Sequence, residues 1–214
     1  MKEIYKNIEN GLTSLYEYSL ERFSDEIDTA RKEFDTIMHI PPYDDVENQQ
    51  RLLIFIHWFI MDRPAKSANT PAWVFYSERC LNFSNEEEAL YRGLANSYTG
   101  IYKIIKKHNH YAANDVGTGE RFKFILDDDV NIPVNNEILS MRFLHINANT
   151  ALLATYCTHS YGAASIIKNG LKAVNYFDRG LFSKRMLELC LLSMKSKKYN
   201  WIKPVLIYNN MAKI

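Results

Sequence analysis

The spacing of apolar residues predicts helices along the first part of the chain. From Ile4 to Ile37, apolar side chains recur at steps of three to five positions, with no proline and with Gly11 as the only glycine. This is the period of a helix that buries one face. The segment forms either one long helix or two, since Ser24-Asp25-Glu26 has the composition of a second helix start. Pro41-Pro42 ends it, because proline lacks the backbone N–H that a helix needs.

Three further helices are expected before residue 100. One is predicted from Asp44 to Met61, and its segment Leu52 to Met61 is apolar on nearly every side, which is typical of a helix at the centre of a core. Thr70-Pro71 supplies the cap and first-turn proline of the next helix. Ser84 and Glu87 have the spacing of a capping box at the start of the third.

After Gly100 the apolar positions follow a period of two or are bounded by turn residues, which is typical of strands. Five such segments are present: 101–106, 111–116, 121–126, 138–146 and 150–156. Five short strands in about sixty residues favour a small antiparallel barrel or a strongly curled sheet.

Helical periodicity returns near the C-terminus, at 161–171 and 182–195. Because helices and strands are segregated along the chain, the predicted fold class is α+β rather than a parallel α/β sheet. We expect a helical body at residues 1–99, a small antiparallel β unit at 100–157, and C-terminal helices at 158–214 that pack back on the rest.

The composition is that of an ordinary soluble globular protein. The chain has 214 residues, of which 47% are hydrophobic and 24% charged. A chain of this length buries roughly 70% of its unfolded surface, so we expect folding to need no metal or cofactor. Cys80, Cys157 and Cys190 are isolated and odd in number, which favours reduced core thiols over a disulfide scaffold or a zinc site.

No targeting or membrane-spanning segment is predicted. The first residues are charged, unlike the apolar core of a signal peptide. The longest apolar run, Leu52 to Met61, is interrupted by His57 and is too short to cross a bilayer. These features predict a cytoplasmic protein.

The charges are distributed unevenly along the chain. The whole sequence has a net charge of +1, yet residues 1–60 carry a net charge of −6 and residues 163–214 carry +8. Opposite charges of this kind can neutralise each other within the fold, pair head to tail between subunits, or leave a basic face for a polyanion. For the oligomeric state, we expect a homodimer more readily than a strict monomer.

Four motifs occur in order along about residues 52–126: Phe55-x-x-Trp58-Phe59-x-x-Asp62-Arg63, Thr70-Pro71, Leu94-x-x-Ser97-x-x-Gly100-x-Tyr102 and Asp115-x-x-Thr118-Gly119-Glu120. This series resembles a loosely defined group of uncharacterised bacterial proteins, some of which carry a SEC-C zinc-binding motif. The resemblance implies helices packed around a tryptophan-bearing helix, followed by a small β unit. It implies no catalytic residue, and the cysteine cluster of a SEC-C motif is absent from the sequence.

The candidate catalytic residues are His57, Asp62 and Arg63, which lie within seven positions of one another. His57 is either one member of an acid–base site or a buried imidazole bonded within the core. The sequence contains no G-x-S-x-G, H-E-x-x-H or dinucleotide-binding motif. An open pocket lined by the three side chains would favour an enzyme, whereas their burial would favour a binding protein.

No metal site is predicted from the remaining polar clusters. His108 and His110 would share one face of a strand, but no third ligand residue lies at a spacing typical of a metal site. The three aspartates at 127–129 and the segment Gly117-Thr118-Gly119-Glu120 are typical of turns. We therefore expect a non-catalytic interaction or adaptor protein with a protein partner, in which the β unit or its groove binds and aromatic residues, 13% of the chain, anchor the interface.

The basic C-terminal segment gives an alternative function, nucleic-acid binding. Its candidate residues combine positive charge with aromatic rings: Lys184, Arg185, Lys195, Lys197, Lys198, Tyr199 and Trp201. Lysines bind phosphates, and bases stack on exposed rings. The other interpretation is that these lysines are the solvated side of a terminal core helix.

Overall fold

The α+β class is confirmed by the structure, a computed structural model that describes residues 2–38, 45–107, 110–126, 132, 137–172, 174 and 178–209. Helices occupy the two ends of the chain, and one antiparallel sheet lies between them in sequence. His108 and the aspartates 127–129 lie outside the described residues.

The described residues of the N-terminal part form five α-helices: α1 (Lys2–Arg22), α2 (Ser24–Met38), α3 (Asp45–His57), α4 (Pro71–Arg79) and α5 (Asn85–Asn96). The long apolar stripe therefore forms two helices, and the second begins at Ser24. Thr70 caps α4 by accepting a hydrogen bond from the N–H of Trp73 at 3.3 Å. Ser84 and Glu87 form the predicted capping box of α5.

The helix α3 continues into a π-helical turn, Trp58–Asp62, in which all five residues are buried. This turn packs against α4, α5 and α7 (Arg179–Lys198). The prediction of a helix at the centre of the core holds for most of the apolar segment but is wrong for its start, since Leu52 and Leu53 are 48% and 39% exposed. They precede the part of the helix that these neighbours cover.

Five antiparallel strands form the sheet: β1 (Thr99–Lys107), β2 (His110–Asp115), β3 (Arg121–Phe124), β4 (Ile138–Ile146) and β5 (Asn149–His159). Their order across the sheet is β3-β2-β1-β4-β5. A backbone bridge between Ile125 and Ala151 connects the two outer strands, and the N–H of Ile125 donates to the carbonyl of Thr150 at 2.8 Å. The sheet is thus curled toward a barrel.

The strand β4 is buried on both faces because the curled sheet has an apolar interior and an outer face covered by helices. Leu139, Met141 and Phe143 point inward, where they pack with Tyr102 and other interior side chains. Leu144 points outward and packs with the N-terminal helices.

The C-terminal helices are α6 (Ala164–Lys172), α7 and α8 (Pro204–Tyr208). The first two agree with the predicted helical segments, and a short 3-10 turn precedes α6. A third cluster of buried residues links these helices to the sheet through Ile101 and Ile138. In the described part of the chain, no helix combines the length and apolar character needed to span a membrane.

Each of the three cysteines is free, and two of them are buried as predicted. Cys157 lies on β5 and Cys190 on α7. The prediction of a core thiol is wrong for Cys80, which is half-buried because it begins a 3-10 turn after α4.

Replacing Trp58 with alanine should lower the free energy of unfolding by about 3 kcal/mol, at the lower end for a buried aromatic residue. The indole is 6% exposed and contacts the rings of Phe34 and Phe55, with centroid distances of 5.8 and 6.4 Å. Trp201 is 73% exposed, so Trp201→Ala serves as the control and should melt like the parent. Thermal scans of both variants compare them, and equal melting temperatures would contradict the core position of Trp58.

Candidate functional site

The candidate site is a cluster of buried polar residues between the sheet and the N-terminal helices. At its centre is Arg142, a fully buried arginine on β4. Its strand neighbours Met141 and Phe143 point into the curled sheet, so the alternation of β4 directs Arg142 to the opposite face. That face lies under the π-helical turn.

The guanidinium of Arg142 donates hydrogen bonds to four side chains. Its Nη2 donates to a carboxylate oxygen of Asp62 and, at 3.0 Å, to Oγ1 of Thr99. Its Nη1 donates to Oγ of Ser97 at 3.1 Å, and its Nε to the hydroxyl of Tyr156 at 3.0 Å. A buried charge is tolerated when it is paired and its donors are bonded, and these contacts meet both conditions.

The π-helical turn brings His57 and Asp62 to the same cluster. Residues five positions apart in a regular α-helix point in directions about 140° apart. Here the widened turn is closed by the N–H of Arg63, which donates to the carbonyl of Trp58 at 2.8 Å. A bond from residue i+5 to residue i is that of a π-helix, a turn frequently found at functional sites.

Both ring nitrogens of His57 are bonded to tyrosine hydroxyls. Nδ1 lies 2.7 Å from the hydroxyl of Tyr156, and Nε2 lies 2.6 Å from that of Tyr16. Burial lowers the pKa of His57 to about 3, and the positive charge of Arg142 acts in the same direction. The imidazole is therefore neutral at ordinary pH, with one nitrogen as donor and the other as acceptor.

The neighbouring groups have shifted pKa values for the same reason. Burial raises the pKa of Tyr156 to about 12, and it also raises the pKa of Tyr16. Burial raises the pKa of Asp62, an effect that Arg142 opposes. Both tyrosines thus remain protonated and can donate to His57 or accept from it.

The cluster is closed to solvent. His57 is 3% exposed, and the adjoining cavity has a volume of about 10 Å³. This is about the minimum that holds one water molecule. Since a general base must come within hydrogen-bond distance of its substrate, an imidazole with both nitrogens occupied and no room beside it cannot act as one in this conformation.

Arg63 does not join the other two catalytic candidates. It points to α2, where its Nε donates to Glu33 at 2.7 Å and its Nη1 to the buried Glu26 at 3.0 Å. His57 and Asp62 do not contact each other directly in the hydrogen bonds of the described residues, which link them through Tyr156 and Arg142. The predicted group of three is therefore divided between two separate sets of contacts.

A second buried network lies near the C-terminal helices. The two nitrogens of His159 lie 2.7 Å from the hydroxyls of Ser140 and Tyr208. All three residues are at most 1% exposed. Burial lowers the pKa of His159 to about 3, and Lys197 adds to this effect. The network connects β4, β5 and α8, and it is equally closed to a substrate.

The sequence offered a buried, bonded His57 as one interpretation, which agrees with the structure, but Arg142, the tyrosines and the His159 network were missed, although one signal was available. Arg142 stands in the segment Ile138–Ile146, which is otherwise mostly apolar and reads as a strand. A charged side chain in such a strand requires a buried partner. The tyrosines and His159 carried no comparable signal.

The nucleic-acid candidates fall into two groups along α7. Lys184 and Arg185 lie near its start, where Arg185 pairs with Glu188 at 2.9 Å. The other five lie at or just after its end: Lys195, Lys197, Lys198, Tyr199 and Trp201. Fifteen residues of helix separate Lys184 from Tyr199, a rise of about 22 Å, so the seven residues do not form one compact patch.

A solvent-open groove of about 750 Å³ lies between α1, α5 and the turn that joins β4 to β5. Its floor is apolar and includes Leu90, Tyr91 and Ile146. Its rim is polar: Glu3, Asn7, Asn10, Ser14, Ser84, Glu86, Glu87, Asn147 and Asn149. Neither lysine nor arginine is among the described residues that line it.

The described residues hold no group of three or more His, Cys, Asp and Glu side chains that could bind a metal ion. The segment Gly117–Glu120 is a turn, as predicted, and the backbone N–H groups of Gly117 and Thr118 donate to Asp115 at 2.7 and 2.8 Å. Gly119 has a φ of +80°, which favours glycine.

No protein-family model matches this chain, and no curated protein or solved structure is significantly similar to it. The resemblance to the SEC-C-linked bacterial group therefore stays a prediction. Function has to be argued from the geometry alone.

Proposed function

We propose that this chain is a non-catalytic interaction protein that acts in the cytoplasm. The observation that carries the proposal is that the candidate catalytic residues His57 and Asp62 are buried and already bonded to other side chains. His57 is neutral and bonded at both nitrogens, and Asp62 is paired with the fully buried Arg142. These contacts cross-link α1, α3, β4 and β5, which supports a structural role for the cluster.

The binding surface in this proposal is the groove between α1, α5 and the β4–β5 turn. It is bordered by the β unit, where the binding surface is expected, and it is large enough for several side chains of a partner. Apolar anchors over a polar rim are typical of protein recognition. The half-buried Ile4 and Ile146 provide the accessible apolar contact, above a floor formed by the buried Leu90 and Tyr91.

The charge of the groove indicates the chemistry of the partner. Glu3, Glu86 and Glu87 line it, although Glu87 also serves the capping box of α5. The complementary partner is a protein segment with lysine or arginine around an apolar side chain. A second copy of this chain has that charge in its basic C-terminal part, so a homodimer is one form of the proposal.

Reversing two charges at the rim should abolish partner capture. In the variant Glu3→Lys/Glu86→Lys, both substituted residues are exposed but lie in the first turn of a helix, so the fold should be retained at a cost of about 0.3–1 kcal/mol for each substitution. The matched control Glu17→Lys/Glu21→Lys changes two exposed carboxylates of α1 that do not line the groove. Cross-linking followed by mass spectrometry would compare the proteins captured by the parent and by each variant.

The expected result is a partner captured by the parent and the control and lost with the groove variant. Equal capture by all three proteins would show that the groove is not the binding surface. A catalysed reaction that His57→Gln abolished in a folded protein would overturn the non-catalytic assignment itself.

A further inference from the structure

The end of α7 and the helix α8 form an exposed surface, here called the C-terminal patch. Its apolar residues are Tyr199, Trp201, Val205 and Leu206, and its basic residues are Lys197, Lys198 and Lys203; all seven are exposed. Trp201 is 73% exposed and Leu206 is 60% exposed. Tryptophan is highly buried on average, so an indole this exposed needs a functional explanation.

The patch is firmly attached to the protein. The residue Tyr208 of α8 is fully buried, and its hydroxyl lies 2.7 Å from Nδ1 of His159. This contact fixes the inner side of α8, so that Val205 and Leu206 remain on the outer side. The exposed apolar side chains of α8 therefore belong to a helix that is packed against the rest of the protein.

The chain segment that forms the patch carries charge of one sign. From Leu189 to Ile214 the sequence contains five lysines and no aspartate or glutamate. The nearest acidic residue before this stretch is Glu188, which pairs with Arg185. A partner of this patch therefore has to be anionic and has to accept apolar side chains as well.

We propose that the C-terminal patch binds the surface of a bilayer that contains anionic phospholipids. Tryptophan is favoured at the level of the lipid headgroups. Amphipathic helices that lie in the plane of that interface combine lysine or arginine on one face with Trp, Phe or Leu on the other, and the patch combines the same types of side chain. The lysines are attracted to the negative surface potential. The proposal is independent of binding of another protein at the α1–α5 groove, but it competes with the homodimer, in which the same basic segment would occupy that groove.

The geometry of the patch favours a lipid surface over a nucleic acid. The rings of Tyr199 and Trp201 are perpendicular, with an interplanar angle of 89° and a centroid distance of 5.5 Å. The Nζ of Lys198 lies 5.8 Å from the centre of the Tyr199 ring. Single-stranded nucleic acids bind by stacking successive bases on aromatic faces. Two perpendicular rings do not provide parallel faces for two neighbouring bases. The aliphatic Val205 and Leu206 have no role in binding phosphates.

Vesicle flotation with the full-length chain tests this proposal. One vesicle preparation is phosphatidylcholine alone, and in the other about one third of the lipid is phosphatidylglycerol. We expect flotation with the anionic vesicles only, and release at about 1 M salt, where the Debye length falls to about 3 Å. Binding should also shift the tryptophan emission to shorter wavelength, and Trp201→Ala should remove most of this shift, because Trp58 is buried and Trp73 half-buried.

Two sets of variants separate the apolar and the electrostatic contributions. Lys197→Gln/Lys198→Gln/Lys203→Gln should reduce partitioning roughly a hundredfold, since each lysine near an anionic surface contributes about fivefold. Its matched control replaces three exposed lysines elsewhere: Lys6→Gln, Lys32→Gln and Lys123→Gln. Leu206→Ser should also weaken binding, whereas Leu81→Ser, at a residue that is 96% exposed, should not.

Several results would overturn the proposal. They are equal flotation with neutral vesicles, no flotation with either preparation, and equal effects of the patch variants and their controls. Binding of a single-stranded oligonucleotide without flotation would assign the patch to nucleic acid instead. Circular dichroism melts of all variants establish that the fold is retained, which is expected because every substituted residue is exposed.

Discussion

Replacing Arg142 with methionine should lower the free energy of unfolding by about 4 kcal/mol, which is typical of breaking a buried ion pair by removing one partner. The Asp62 carboxylate, which is buried, would lose its cation. Ser97, Thr99 and the hydroxyl of Tyr156 would lose the donor that they share. A buried acceptor without a donor retains the full cost of its removal from water.

Urea denaturation at neutral pH measures this effect. The double variant Arg142→Met/Asp62→Leu should recover much of the loss, because removing both charges also removes the need to compensate either one. The control is Arg92→Met, an exposed arginine whose contact with Glu88 is 3.5 Å long. It should change the stability by less than about 1 kcal/mol. A double variant less stable than Arg142→Met alone would contradict this account of the cluster.

Acidification from about pH 7.5 to about pH 4.5 should destabilise the chain by about 5 kcal/mol through two buried histidines. His57 and His159 both have a pKa of about 3 in the folded chain, against the ordinary histidine value of 6.5. The unfolded chain therefore binds protons that the folded chain excludes. The stabilisation is fully present above pH 6.5 and is lost as the pH falls toward 3. Two pH units below 6.5, each histidine accounts for about 2.7 kcal/mol.

Unfolding free energies at the two pH values test this prediction. His57→Gln and His159→Gln should each be less stable than the parent at neutral pH, yet each should lose less stability on acidification. Asn169→Gln is the control, because it introduces glutamine at an exposed position without removing an ionisable group, and this variant should lose as much stability on acidification as the parent. The raised pKa of Asp62 has the opposite effect on the pH dependence of stability. Because Asp62 is present in the parent and in both variants, this effect does not alter the comparison. An identical loss in the parent and both buried variants would rule out the two histidines as the cause.

Local signals made most of the fold predictable. The caps at Thr70 and Ser84 depend on hydrogen bonds within four residues, so the sequence contains every partner. The five strand segments were identified for a similar reason, since their alternation and turns are local. The helix α8 was missed because five residues are too few to show a helical period.

The candidate site was less predictable because its contacts are distant in sequence. Arg142 and Asp62 are 80 positions apart, and His57 and Tyr156 are 99 apart. Only the fold brings these pairs together. The π-helical turn adds to the difficulty, since helical periodicity assumes 3.6 residues per turn and thus does not place His57 and Asp62 on one side.

Burial likewise depends on which neighbours cover an element. The apolar segment Leu52 to Met61 has no internal sign that its first residues are exposed. Exposure of Leu52 results from the position of α7 and the sheet, and neither follows from the composition of the segment. Cys80 was misplaced for the same reason, since it lies beyond the last turn of α4.

The curled sheet restricts how a protein partner can be recognised. An exposed edge strand binds other chains by accepting them as an additional strand. Along the outer edge of β5, the backbone at 150 and 152 is bonded to Ile125. Further along the same strand, the carbonyls of Tyr156 and Thr158 accept hydrogen bonds from the side chains of Gln50 and Ser193. Strand addition is thus blocked over most of the β5 edge, so a short linear peptide would gain little affinity from its backbone there, and in the proposed interaction a partner at this edge would have to be recognised through its side chains.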